Sequence, residues 1–214
     1  SYAESFIPLL EDIDPEIIAQ AERVIGDVKY NQAGEQLVPL LENKNARVQF
    51  FAAQALGRIK FKEAATPLLT MLEKNDDKDL YLRYAGVLAL SRIGDIDPII
   101  ALTGNPNKSL RLAAVLVLRK LRNPYIVKFL NDEDEYIVTE AARAINDDLS
   151  IESALPQLAA VLGEDRFTSE PLLRRAINAS LRVGGDKEMN LLIAFANRKD
   201  VPTELRAEAL ATLG

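Results

Sequence analysis

Apolar and polar positions along this 214-residue chain follow a helical period, and one template recurs. Val48-Gln49-Phe50-Phe51-Ala52-Ala53-Gln54-Ala55-Leu56 matches Leu82-Arg83-Tyr84-Ala85-Gly86-Val87-Leu88-Ala89-Leu90 in pattern, and Leu110 to Leu118 matches both. Seven copies open at Ile17, Val48, Leu82, Leu110, Ile137, Leu172 and Leu205, at intervals of 31, 34, 28, 27, 35 and 33 residues. Four positions after each opening residue stand Ala21, Ala52, Gly86, Ala114, Ala141, Ala176 and Ala209. Eight positions after it stand Ile25, Leu56, Leu90, Leu118, Ile145, Ser180 and Leu213, apolar except for the serine. Offsets 0, 4, 7 and 8 share one face of an α-helix. A small residue in the middle of that face admits a second helix at close range, and a large one there overpacks.

The start of each such helix is also marked. Three residues before the opening position stand Asp14, Asn45, Asp79, Asn107, Asp134, Ser169 and Pro202. The first six can accept a hydrogen bond from the free amides of a first turn, which is the N-cap role. Pro202 cannot, and Asp200 is the expected substitute. A shorter apolar helix precedes each capped one, as in Phe6-Ile7-Pro8-Leu9-Leu10, Leu37-Val38-Pro39-Leu40-Leu41 and Thr66-Pro67-Leu68-Leu69. Most of these carry proline, while Met189 to Ala196 does not. Nothing has the period of a strand ladder. The expected fold is all-α: one domain over residues 1–214, a right-handed superhelix of about seven helical hairpins.

Composition narrows the chemistry. Zero Cys excludes disulfides and thiolate metal sites, and zero His excludes imidazole bases, Ser-His-Asp triads and His-ligated metals. The longest uninterrupted apolar run, Leu112 to Leu118, is far short of the ~20 residues that a membrane-spanning helix needs. The net charge is −6, so nucleic acid is not an expected partner. Charge is uneven: residues 1–60, 61–122 and 123–214 carry −3, +3 and −6. The mildly basic middle is either ordinary solvated surface or a patch that attracts an acidic partner. The chain opens Ser1-Tyr2 without Met, and Thr212-Leu213-Gly214 ends it without a polar capping helix. Both features point to a domain cut from a longer protein.

The Pro-Leu-Leu helix, the Asp/Asn turn and the Ala52-Ala53-Gln54-Ala55-Leu56-Gly57 helix together resemble HEAT repeats, of the short type also found in phycobilisome lyase subunits. Thr66-Pro67-Leu68-Leu69 is similar to the ankyrin signature but occurs once, and the absence of Trp disfavours tetratricopeptide repeats. A weaker resemblance covers the last third. Leu172 to Gly185 and Val201 to Leu210 resemble the HEAT-like segment of large exported bacterial proteins with a sugar-dehydrogenase-like propeller and a c-type haem domain. That resemblance implies an exported, periplasmic location, with redox chemistry in other domains; otherwise the expected compartment is cytoplasmic.

No constellation here carries catalysis. Asp76-Asp77 with Asp79, Asp132-Glu133-Asp134-Glu135, and Asp147-Asp148 fall at turns, where carboxylates cap amides and favour the positive helix end. Gly184-Gly185 reads as a helix C-cap, and no glycine-rich phosphate loop follows a strand. No cofactor or metal is expected, and the segment is not expected to be an enzyme.

A partner surface is the remaining candidate. In stacked hairpins the second helices line the concave side. Their offsets 2 and 6 hold Phe50 and Gln54, Tyr84 and Leu88, Leu112 and Leu116, then Thr139 and Arg143, Arg174 and Asn178. The stripe is apolar in the middle repeats and polar toward the C-terminus. Arg58, Arg83, Arg92, Arg111 and Lys120 could edge it with positive charge. Two readings stay open: adjacent helices bury these side chains against each other, or they form a groove for an acidic amphipathic segment or sister domain. Three functions follow from these readings. The first is a non-catalytic protein-protein or interdomain scaffold with no membrane insertion. The second is the helical module of a dehydrogenase and c-type haem protein, and the third is a chromophore-lyase-type subunit.

Overall fold

A computed structural model of the chain describes residues 2–147 and 150–213. Asp148 of the Asp147-Asp148 cluster, and the terminal residues Ser1 and Gly214, lie outside the described residues. The helices are α1 (Pro15–Asp27), α2 (Gly34–Leu37), α3 (Ala46–Ile59), α4 (Ala65–Asn75), α5 (Leu80–Ile93), α6 (Asp97–Ile100), α7 (Lys108–Leu121), α8 (Glu135–Asn146), α9 (Leu155–Ala160), α10 (Glu170–Val183), α11 (Asp186–Asn197) and α12 (Thr203–Ala211). No strand occurs among the described residues. The fold is all-α, and the described residues form seven helical hairpins whose second helices are α1, α3, α5, α7, α8, α10 and α12. The chain forms two compact units, Ser1–Val117 and Leu118–Gly214, with the division inside α7.

The caps lie where the template placed them. Asp14, Asn45, Asp79 and Asp134 accept from amides of the first turns of α1, α3, α5 and α8. Asn107 accepts from the Leu110 amide at 3.1 Å, and Ser169 from the Leu172 amide at 3.4 Å. Pro202 precedes α12 without a side-chain cap. Asp200 does not substitute for it, because its carboxylate pairs with Arg198 at 2.6 Å. A second layer of capping has no counterpart in the template. Asp12, Asn43, Asn105 and Asp132, each two residues before a cap, accept from the amide of the cap residue itself. Asn75 does the same for Asp79 at 3.0 Å across two extra residues. Each of these five turns is thus closed by two consecutive side-chain-to-amide bonds, a local alternative to helix that Asp and Asn favour.

The first helices are less regular than the second. Tyr2–Glu11, Val38–Glu42 and Pro124–Asn131 are 3-10 helices, and α6 and α9 are only one or two turns long. Pro8 lies inside the first of these stretches and removes an amide there, whereas Pro39, Pro98, Pro124 and Pro156 stand at the first or second position, where no amide is needed. The long first helices are α4, where Pro67 sits in the first turn and no amide is needed, and α11, which has no proline.

The offset-4 residues are buried in all seven second helices. Ile17 is the exception among the opening residues, at 41% exposed, because no second helix stands before α1 among the described residues. Within the first unit, α1 packs on α3 and α3 on α5. Two close approaches of backbone to backbone join offset 9 of one helix to offset 7 of the next. A Cβ on Gly26 would lie 2.9 Å from the Cα of Ala55, and one on Gly57 would lie 2.6 Å from the Cα of Ala89. These are backbone-to-backbone approaches that no rotamer change can relieve.

One core position breaks the pattern. Offset 5 holds buried Ala53, Val87, Val115, Ala142 and Ile177 in later repeats, but Glu22 in α1. Glu22 is 0% exposed, and neither carboxyl oxygen has a hydrogen-bond partner among the described residues. Burial pushes its pKa up to about 9, so the folded chain holds this proton at neutral pH. The unfolded chain loses it near 4.5, so between these values the folded state binds one more proton. Stability contributed by this group is therefore full below pH 4.5 and falls as pH rises toward 9, by at most about 1.4 kcal/mol per pH unit. Melting curves from pH 5 to 8 are expected to show the native chain losing stability with pH and Glu22→Leu doing so much less, with the variant more stable at pH 8. Parallel pH slopes would contradict this assignment.

Candidate partner-binding surface

The second helices of the first unit turn one face to their neighbours and leave offsets 2, 6 and 10 on another. These offsets hold Phe50, Gln54 and Arg58 on α3, and Tyr84, Leu88 and Arg92 on α5. Tyr84 is 52% exposed, and Phe50, Leu88, Arg92 and Leu116 are half-buried. Phe50 stands edge-on to Phe51, with ring centres 5.2 Å apart, and the Arg47 guanidinium lies over the Phe51 ring at 5.1 Å. Arg92 reaches the Gln54 side-chain oxygen at 3.3 Å, which links offset 10 of one repeat to offset 6 of the repeat before it.

Three residues expected on this surface do other work. Leu112 is 3% exposed and belongs to the core. Arg111, at 4% exposed, turns back and donates from Nη1 to the carbonyls of Asn105 at 2.6 Å and Pro106 at 3.4 Å. Arg83, one repeat earlier at the same offset, donates to both carboxylate oxygens of Asp77 at 2.8 and 2.9 Å. Gln49, also at that offset, donates to the Asn43 carbonyl at 2.8 Å. Offset 1 is thus a turn-fastening position, and the basic edge loses Arg83 and Arg111. The acidic cluster here is likewise part of the turn: Asp77 holds Arg83, Asp79 caps α5, and Asp76 accepts from the Ser109 hydroxyl at 3.1 Å.

The structure also adds residues that the template missed. Leu80 and Tyr81, at 58% and 78% exposed, open α5 one turn before Tyr84. They precede the opening residue Leu82, so an alignment that begins there passes over them. Two tyrosines three residues apart on one helix were the available signal.

The second unit differs. Its shallow clefts are lined by Glu170, Arg174, Arg175, Glu140 and Arg143. These charges are largely compensated within the unit. Arg175 forms a two-pronged pair with Asp147 at 2.9 and 2.8 Å, and Arg174 pairs with Glu170 at 2.7 Å and also with Glu208. The guanidinium beside Asp147 holds its carboxyl below the usual range against the opposing effect of burial. At offsets 2 and 6 the large apolar side chains thus lie in the first unit, while Tyr136, Leu181 and Leu210 are exposed at other offsets of the second unit's helices.

Residues 3–91 match the family model described as HEAT repeats, and the capped two-helix template that they carry continues beyond them. These residues carry HEAT repeats. No curated protein matches the chain. Among solved structures, these HEAT-like repeats are similar to the complex of CpcE and CpcF of phycocyanin lyase from Nostoc sp. PCC7120, at 21% identity and TM-score 0.48, over 99% of this chain and 86% of that one. They are also similar to human deoxyhypusine hydroxylase, at 16% identity and TM-score 0.42, over 99% and 83%. A designed armadillo repeat protein in complex with the peptide (KR)4 matches at 16% identity and TM-score 0.41, over 100% and 98%.

The division of labour among HEAT-like offsets is testable by stability. Arg111→Ala strips two turn carbonyls of a charged donor and is expected to cost about 1.5–3 kcal/mol. Tyr84→Ala, on the exposed face, is expected to cost about 0.5 kcal/mol or less. Urea unfolding of both variants checks the pair, and equal losses would contradict the separation.

Proposed function

We propose that this HEAT-like repeat protein is a non-catalytic interaction scaffold that tethers or orients a protein partner or sister domain. Its partner surface is the strip of Phe50, Tyr84, Leu88 and Leu116, extended by Leu80 and Tyr81 and edged by Arg92. The observation that carries this reading is the face of α5. Leu80, Tyr81 and Tyr84 are each more than half exposed on a helix whose opposite side is fully packed. Tyrosine-rich apolar strips of this kind are the usual anchors of protein interfaces, and stacked helices present them to amphipathic segments. Arg83, Arg111 and Leu112 serve the fold rather than the partner. The dehydrogenase-module and lyase-subunit alternatives draw on no residue of this surface.

Photo-cross-linking tests the proposal directly. With Tyr84→p-benzoylphenylalanine in the source cell, discrete protein adducts are expected at position 84 and not with the same substitution at exposed Glu63. Adding Tyr81→Glu, a change at a largely exposed side chain, is expected to abolish them. Identical adducts from positions 84 and 63 would overturn the reading.

A further inference from the structure

The C-terminal ends of α1, α3 and α5 form a second feature of the first unit, beside the apolar strip. Lys29, Arg58, Lys60 and Arg92 line one cavity of about 410 Å³ with a single carboxylate, Asp27, among them. Gly26 and Gly57 lie in its wall, so no side chain fills it from those positions. The cluster is locally cationic on a chain whose net charge is −6.

The two lysines stand in unusual backbone. Both occupy offset 12, just past the helix end, with φ of 54° at Lys29 and 56° at Lys60. This left-handed conformation costs a residue with a side chain about 1–2 kcal/mol. Glycine takes the same position in two other repeats, as Gly94 with φ 74° and Gly184 with φ 66°. Arg122, the third side-chain-bearing residue at this offset among the described residues, has a local use: its Nη2 donates to the Ser150 carbonyl at 3.1 Å. The Lys29 and Lys60 side chains have no hydrogen-bond or ion-pair partner among the described residues. Arg92 meets only the neutral Gln54 amide, and Arg58 alone has a carboxylate, Asp27. Three cations without a carboxylate therefore face one cavity, and two of them stand where glycine would serve the turn better.

We propose that this cavity is a subsite for the carboxylate side chains of an acidic peptide segment, engaged by Lys29, Lys60 and Arg92. Lys29 and Lys60 hold one place in successive repeats, so neighbouring carboxylates of an extended peptide meet successive ammonium groups. The carbonyl ends of α1 and α3 repel an anion. The contact therefore belongs to the long, flexible lysine stems and the Arg92 fork rather than to the backbone. A long polyanion such as nucleic acid would meet the net negative remainder of the chain, which favours a short acidic segment. The inference rests on the scaffold reading for its biological partner, and it adds the chemistry that this partner presents beside the apolar strip.

The test is a fluorescence anisotropy titration of the full chain with fluorescein-labelled hexaglutamate at low salt, with hexalysine as control. Saturable hexaglutamate binding is expected, and Lys29→Gly with Lys60→Gly is expected to weaken it about tenfold. Glycine suits the left-handed position, so the double variant is expected to melt at the same temperature or higher. Lys128→Gln with Lys199→Gln, which removes the same charge elsewhere, is expected to leave binding intact. Unaltered binding by the glycine double variant, or no saturable binding by the native chain, would overturn the subsite. Displacement of the peptide by an equal concentration of inorganic phosphate would overturn the peptide assignment in favour of a small-anion site. Hexaglutamate binding that persists while cross-linking at position 84 fails supports the subsite and removes only the apolar partner surface. The converse result removes the subsite alone.

Discussion

The first unit depends on how closely its second helices approach. Gly26 meets Ala55 and Gly57 meets Ala89 at distances that leave no room for even one added methyl group. Contacts this short bring two helix backbones together, and the large apolar side chains on either side then close over them. Ile25, Leu56 and Leu90, one position from these contacts, are at most 1% exposed. The ion pairs that also link successive repeats cannot play this part. Arg47 with Glu16 and Lys74 with Glu42 are more than half exposed, and exposed pairs contribute about 1 kcal/mol at most. The glycine–alanine contacts set the spacing between helices, and the polar pairs fit the spacing they find.

That spacing controls the functional surface. Faces packed on a neighbour are spent on the core, so only offsets 2, 6 and 10 and the helix ends remain to meet a partner. In the first unit they carry aromatic and aliphatic side chains, with unpaired cations at the C-terminal ends. In the second, Arg174 at offset 2 pairs with Glu170 and Glu208, and Arg143 at offset 6 lies 4.0 Å from Asp147. At offsets 2 and 6 the same backbone plan therefore presents large apolar side chains in one unit and paired arginines in the other.

Much of the fold was readable from the sequence because a helix buries residues by period. The offset-4 alanines and the six polar caps needed only spacing and side-chain chemistry. The rest depended on where long side chains reach, which periodicity does not determine. Arg83 and Arg111 have the spacing of rim residues, yet each folds back onto the turn that precedes its own helix. Lys29 and Lys60 carry no mark in the sequence, because glycine is the residue that signals a helix end in left-handed backbone. The apolar pattern marked the first helices as the shorter ones, and it does not show that several are 3-10 helices. Glu22 sits in an ordinary helical pattern, and only its enclosure shows that it is a carboxylic acid in a place that five other repeats fill with alkyl groups.

Chemical denaturation of Gly57→Ala tests the central claim most directly, because two effects predict opposite signs. In a helix free of close contacts, replacing glycine by alanine stabilises by about 0.5–1 kcal/mol. At Gly57 the new methyl group would stand 2.6 Å from the Ala89 backbone, so the close-approach account predicts a net loss of stability. A gain of the ordinary helical size would contradict it.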